Sequence, residues 1–257
     1  MTNPEDKLTD LSGRVAVVTG GSRGMGREMV RAFARCGADV VIASRKLDNC
    51  EALAAEVEQA MGRRALPVAC HVGSWADCDR LTESVYAAMG RCDVLVNNAG
   101  MSPLYPSLVD VSEELYDKVM AVNLRGPFRL SATFGARMAA DQGGSIINVS
   151  STAASTASPA EAAYGAAKAG LQSITRSFAR EYAPKVRVNC IQPGPFRTDI
   201  SRAWTPEIIE SLEAAVPLGI GEADEVVGAA LYLAGDASSY TTGAVIKIDG
   251  GAVYPSA

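Results

Sequence analysis

What most constrains this chain is an alternation. Short runs rich in Val, Ile and Ala fall at 14–19, 39–43, 65–70, 94–97, 145–150, 186–191 and 244–248. They are apolar throughout rather than at every second residue, the pattern of strands buried on both faces. Between them lie amphipathic stretches of helical length at 25–36, 48–61, 75–89, 113–140, 162–182, 206–215 and 223–233. Strand and helix in strict succession call for right-handed crossovers and parallel pairing. The pattern therefore predicts an α/β fold, a doubly wound, seven-stranded parallel sheet with helices on both faces. No Pro/Ser-rich linker, charge block or fixed-period repeat interrupts the 257 residues, so 1–257 reads as a single domain.

Composition matters mainly for what it excludes. With 48% hydrophobic and 21% charged residues, disorder and fibrous repeats are poor descriptions. A net charge of −5, with basic residues scattered, argues against nucleic acid or an anionic membrane as partner. No apolar run approaches the ~18–20 residues of a membrane span. Residues 1–13 are polar, without the apolar core of a signal peptide, and 254–257 match no targeting signal, so a cytoplasmic location is expected. Six cysteines without a C-x-x-C pair read as reduced thiols, and a lone histidine, His71, leaves no metal site to expect.

Two helix starts can be proposed. Ser112 can cap the helix that follows, with Glu113 and Glu114 in its first turn; Leu115 three residues on precludes a full capping box. Ser158-Pro159-Ala160-Glu161 does fit a capping box with Pro at the first helical position.

Directly after the first strand comes Thr19-Gly20-Gly21-Ser22-Arg23-Gly24-Met25-Gly26, which opens the first helix. Glycines let the backbone bend and approach a phosphate closely, and the helix N-terminus offers free N–H groups to it. This is the first turn of a Rossmann-type, dinucleotide-binding unit, with the spacing G-x-x-x-G-x-G. The same residues carry a rival reading. Gly20-Gly21-Ser22-Arg23-Gly24 also matches a G-x-S-x-G nucleophile elbow, in which Ser22 would be followed by Asp39 or Asp48 and His71.

The second strand ends in Ala43-Ser44-Arg45-Lys46. An NAD site of this type places Asp or Glu there for the ribose 2′-hydroxyl. Asp39 starts the strand and Asp48 lies in the next helix. Arg45, with Ser44, Lys46 and Arg23, suits a 2′-phosphate instead, which favours NADP(H) over NAD(H).

Tyr164 and Lys168 stand at i and i+4 of one predicted helix, on one face. A phenol is a poor base at neutral pH, and a nearby cation favours its ionised form. Ser151 ends a buried strand thirteen residues earlier, at the carboxyl edge where such sheets bind ligands.

With these residues in order, the chain resembles the short-chain dehydrogenase/reductase family over essentially its full length. The resemblance rests on the glycine turn at 19–26, Asn97-Asn98-Ala99-Gly100, Asn123 within Val122-Asn-Leu-Arg-Gly126, and Ser151 with Tyr164-x-x-x-Lys168. Pro193-Gly194-Pro195-Phe196-Arg197-Thr198 and Asp249-Gly250-Gly251 complete it. It implies that Tyr164 exchanges a proton with the substrate oxygen, Ser151 hydrogen-bonds that oxygen, and Lys168 depresses the tyrosine pKa and holds the nicotinamide ribose. It also implies that Asn123 anchors a water leading to Lys168. Gly20, Ser22, Gly24, Met25 and Gly26 would cradle the cofactor, Asn98, Ala99 and Gly100 would lie by the adenine ribose, and Pro193, Gly194, Phe196 and Thr198 by the carboxamide. One departure is that His71-Val72 stands where many members carry Asp-Val, so the aspartate contact to adenine is unavailable, and His71 reads either as a stacking or hydrogen-bonding substitute or as a partly buried structural histidine. A substrate lid near 195–216 with Trp204 and Ile208, and an opposite wall of Ser102-Pro103-Leu104 and Thr152-Ala153, follow by the same analogy. The implied substrate is a small molecule: a 3-oxoacyl thioester, or otherwise a sugar, steroid or small ketone. A homotetramer is implied as well. A non-catalytic dinucleotide-binding regulator would have lost Ser151, Tyr164 or Lys168, and all three are present.

Overall fold

The computed structural model describes residues 8–156, 158–198, 201 and 204–253. The expected alternation is there. In chain order the strands and helices of the first half are β1 (Val15–Thr19), α1 (Gly24–Arg35), β2 (Asp39–Ser44), α2 (Leu47–Met61), β3 (Ala65–Ala69), α3 (Trp75–Met89), β4 (Val94–Asn97), α4 (Glu113–Met120) and α5 (Gly126–Ala140). The second half holds β5 (Gly144–Val149), α6 (Ala162–Tyr182), β6 (Val186–Pro193), β7 (Phe196–Arg197), α7 (Pro206–Ala215), β8 (Gly221–Glu222), α8 (Val227–Ala234) and β9 (Val245–Ile248).

Seven strands form one sheet in the order β3-β2-β1-β4-β5-β6-β9, parallel throughout. Both faces are covered. Ala16 and Val18 of β1 pack into one core with Met29, Val30 and Phe33 of α1, while Val15 and Val17 join the other with Leu130, Phe134 and Met138 of α5. Alternate residues of a strand point to opposite faces, so one VAVVT run serves both layers. The strand order reverses between β1 and β4, which opens a crevice at their carboxyl ends.

Three local expectations change. The helix expected over 113–140 is two helices joined by a π-helical turn at Ala121–Arg125, and Asn123 sits in that turn. Its side-chain Nδ2 donates to Val119 O, one turn back, and to Met101 O, each at 2.9 Å. The helix expected from 223 begins with a tighter turn over Ala223–Val226.

The capping box at 158–161 does not form, because Ser158 makes no side-chain cap and α6 starts only at Ala162. Glu161 instead accepts a hydrogen bond from Ser102 Oγ at 2.8 Å. The carboxylate is used across the fold rather than along the chain. Ser112 does cap α4, accepting from Leu115 N at 3.2 Å. Beyond β6, the short parallel pair β7 and β8 brackets α7. Residues 199, 200, 202 and 203 of the expected lid lie outside the described residues.

Candidate active site

The glycine turn is held from below by two side chains. Thr19 Oγ1 donates to Val96 O at 3.1 Å and accepts from Asn98 N and Ala99 N. Asn98 Nδ2 donates to Thr19 O at 2.9 Å and Gly20 O at 3.2 Å. Gly20 and Gly24 take φ of +62° and +50°, a region costly for side-chain-bearing residues. A Cβ on Gly26 would fall 2.3 Å from Gly20 O, so the turn closes only around bare glycine.

Arg23 precedes α1 in extended conformation and supplies no side-chain cap, and the first turn holds no acid. The N-terminal N–H groups of α1 are thus left for an anion rather than consumed by the chain.

From this turn runs a cleft of about 550 Å³. Gly20, Ser22, Arg23, Gly24, Met25 and Gly26 form its floor, and Ser44, Arg45 and Lys46 line it at the exit of β2. His71 and Val72 line it at the exit of β3, Asn98, Ala99 and Gly100 at the exit of β4, and Thr198 closes it beside Gly24. Sequence reasoning missed Asn49, Cys70, Met101, Lys118 and Val122 on the same wall. Lys118 of α4 carried no signal, and Val122 stood in the quoted Val122–Gly126 stretch without being assigned to the cleft, because only the tertiary fold brings either to this wall.

The lining includes Arg23, Arg45, Lys46 and Lys118 and no carboxylate. Asp39, at the far end of β2, accepts from Arg63 at 2.6 Å and from Arg64 N. The cleft therefore fits an extended, polyanionic dinucleotide. Pro193, Gly194 and Phe196 are not part of this wall. The Phe196 ring is buried in the core, and Gly194 N donates to Ile248 O at 2.9 Å.

The elbow reading of Ser22 fails on geometry. Its Oγ donates to Ser44 Oγ at 2.9 Å rather than to an imidazole. His71 is anchored by its backbone, whose N–H donates to Asp77 Oδ2 at 3.1 Å.

A second cluster stands at the carboxyl ends of β4 and β5. Ser151 follows β5 and caps a short turn, accepting from Ala153 N at 3.2 Å. Tyr164 and Lys168 occupy successive turns of α6, with Lys168 Nζ 5.6 Å from the Tyr164 ring centre. Lys168 is 3% exposed and donates from Nζ to Val149 O at 2.8 Å. Asn123 Oδ1 accepts from Met101 N at 3.2 Å. A Cβ on Gly100 would lie 3.1 Å from Asn123 Oδ1 and 3.5 Å from Lys168 Nζ. The bare glycine keeps these two polar groups within reach of a common small space.

Burial dominates the ionisation here. It pushes the Tyr164 phenol up to about 12, against a hydrogen bond with Ser151 that favours the phenolate, and the Glu161 carboxylate adds to the rise. Burial also brings Lys168 down to about 8. The expected depression of the tyrosine by its lysine is absent from these influences, and burial sets the direction for both groups. In the protein alone the phenol is therefore protonated at neutral pH.

A family model described as enoyl-(acyl carrier protein) reductase matches residues 20–253. Dehydrogenase/reductase SDR family member 4 of Homo sapiens is 35% identical over 245 residues, covering 94% of this chain and 88% of that protein. The chain belongs to the short-chain dehydrogenase/reductase family.

A second relative within the family, the 3-oxoacyl-(acyl-carrier-protein) reductase of Thermotoga maritima, is 36% identical over 245 residues, covering 95% of this chain and 99% of that one. Among solved structures, the NADPH-dependent 3-quinuclidinone reductase of Rhodotorula rubra superposes with a TM-score of 0.93 at 31% identity, covering 98% of this chain and 96% of that one. As a short-chain dehydrogenase/reductase the protein is an NAD(P)-dependent oxidoreductase of CH–OH or carbonyl groups, acting on small molecules. No described helix is long and apolar enough to cross a membrane.

Proposed function

We propose that this enzyme is an NADP(H)-dependent carbonyl reductase and secondary-alcohol dehydrogenase, with 3-oxoacyl thioesters as its leading substrate class. The observation that carries the reading is the Tyr164–Lys168 pair on α6 with Ser151 at the end of β5, next to Gly100 of the basic cleft, where an added Cβ would lie 3.5 Å from Lys168 Nζ.

The glycine turn and the α1 N-terminus hold the pyrophosphate. Arg45 and Lys46, with Ser22, Ser44 and Arg23, hold a 2′-phosphate, and the absence of a carboxylate from the lining removes the partner that a free 2′-hydroxyl would need. His71 and Val72 flank the adenine, Asn98, Ala99 and Gly100 its ribose, and Lys168 the nicotinamide ribose. Thr198, which lines the cleft, orients the carboxamide, while Pro193, Gly194 and Phe196 lie outside the cleft lining. When bound, the cofactor supplies hydride to the substrate carbonyl carbon or takes it back.

Tyr164 Oη gives its proton to the carbonyl oxygen during reduction. Ser151 Oγ hydrogen-bonds the same oxygen and stabilises its developing charge. Asn123 positions a water that returns a proton toward Lys168. The described residues of the stretch 195–216 serve as the lid, with Trp204 and Ile208 as its apolar candidates. The thioester assignment is supported by the Thermotoga maritima relative. Location in the cytoplasm fits cysteines that are all free of disulfides. Assembly as a homotetramer fits the exposed Phe128 and Tyr240 rings.

The test is NADPH oxidation followed against ketones, sugars and 3-oxoacyl thioesters, with Tyr164→Phe beside the native enzyme. The variant should lose at least about 100-fold in turnover while still binding NADPH by fluorescence. Turnover retained in Tyr164→Phe would falsify the role given to the phenol.

A further inference from the structure

Glu161 is the residue whose expected role failed, and its actual surroundings are informative. It lies three residues before Tyr164, and its carboxylate accepts from Ser102 Oγ at 2.8 Å. That bond ties the segment after β4, directly following the cleft residue Met101, to the start of α6, three residues before Tyr164. No cation within salt-bridge distance of Glu161 is found among the described residues. In the lid the balance differs, because Arg197 pairs with both Glu213 and Glu222. Among the described residues, two charged groups are placed near Tyr164. Lys168 lies beneath the ring toward Asn123, and Glu161 stands on the side of Ser102. The carboxylate is close enough to bear on the phenol's ionisation.

An uncompensated, half-buried carboxylate beside a reacting carbonyl acts on whatever the substrate carries next to it. We infer that Glu161 is a specificity-determining residue that selects substrates by charge, favouring carbonyl compounds with a cationic or hydrogen-bond-donating neighbour and rejecting keto acids. This rests on the reading of Tyr164 as the site of carbonyl reduction. It deepens that reading, since a 3-oxoacyl thioester is neutral where the free 3-oxo acid is an anion. A unit charge within ~8 Å of a partly screened carboxylate is worth about tenfold in kcat/KM in each direction.

The experiment compares three ketones of one shape at pH 7: cyclohexanone, 4-aminocyclohexanone as its ammonium, and 4-oxocyclohexanecarboxylate. Each protein is read by its own ratio of kcat/KM, cation over anion, so partial loss of active enzyme cancels. The native ratio should exceed about 10. Glu161→Gln keeps an acceptor for Ser102 but removes the charge, and should bring the ratio down by about tenfold. Ser102→Ala breaks the tie but keeps the charge, and should leave the ratio high. A native ratio near one, or a ratio that collapses in Ser102→Ala and survives in Glu161→Gln, overturns the inference. If neither these ketones nor any thioester is reduced, it is the proposed function that fails instead.

Discussion

Replacing Gly26 by alanine tests the turn on which the cofactor site is built. The added Cβ would lie 2.3 Å from Gly20 O and 2.5 Å from Asn98 Nδ2. Both are held: Asn98 Nδ2 is the donor that ties down Thr19 O and Gly20 O. To reach ordinary contact, the carbonyl or the helix start must move by about 1 Å, an overpacking cost of ~1–3 kcal/mol. Losing one of the Asn98 hydrogen bonds adds about 1 kcal/mol. The helical preference of alanine over glycine returns roughly 0.5–1 kcal/mol.

The net loss of roughly 1–3.5 kcal/mol corresponds to a Tm lower by about 2–14 °C for a domain of this size. On the proposed reading the displaced atoms cradle the cofactor phosphates, so NADPH affinity should also fall at least about tenfold, or 1.4 kcal/mol. Gly228→Ala is the control. It lies in α8, where an added Cβ would meet nothing within 4 Å, so the same substitution should raise Tm slightly. Thermal melts and NADPH fluorescence titrations read both quantities. A Gly26→Ala protein that melts with the native one and binds NADPH equally well would refute the close-approach reasoning.

Two further outcomes follow from the charges. Lys168 falls from 10.5 to about 8 on burial, so its protonated form costs the fold on the order of 3 kcal/mol at pH 7. That cost is fully present below the folded pKa of about 8 and fades as pH rises toward the unfolded value of 10.5. Lys168→Met should therefore raise Tm at pH 7, less about 1 kcal/mol for the lost bond to Val149 O, with the advantage shrinking between pH 8 and pH 10.5 while turnover collapses. Melts that show a lower Tm at pH 7, or a gap independent of pH, would contradict the burial argument. Arg45→Asp should lower the ratio of kcat/KM for NADPH over NADH by at least about tenfold, through loss of one phosphate contact and gain of a 2′-hydroxyl acceptor. An unchanged ratio would remove the basis for preferring NADP(H).

Much of the frame was legible because it depends on periodicity. A strand buried on both faces has to be apolar throughout, and β1, β2, β4 and β5 announce themselves in that way. The glycine turn was legible because no other residue fits its φ angles and contacts. The break in the long helix was not. A π-helical turn depends on Asn123 finding Met101 O, a partner 22 residues away in the chain. Asn49, Cys70, Met101, Lys118 and Val122 were invisible for a related reason, since each joins the cleft only when sheet and helices are assembled.

By itself the sequence determined the order of elements, the parallel sheet, the position of the phosphate turn and the identity of the Ser151, Tyr164 and Lys168 cluster. The first two follow from short-range rules of burial pattern and helical spacing and the turn from backbone freedom, while the cluster was singled out by its place at the sheet edge and by resemblance to the family, and its roles are proposals. The tertiary structure decided the electrical state of that cluster. How far desolvation outweighs a neighbouring charge depends on what encloses Tyr164 and Lys168, and Glu161 turns to Ser102 rather than to its own helix for the same reason. Local pattern chooses the residues, and long-range packing sets the field in which they work.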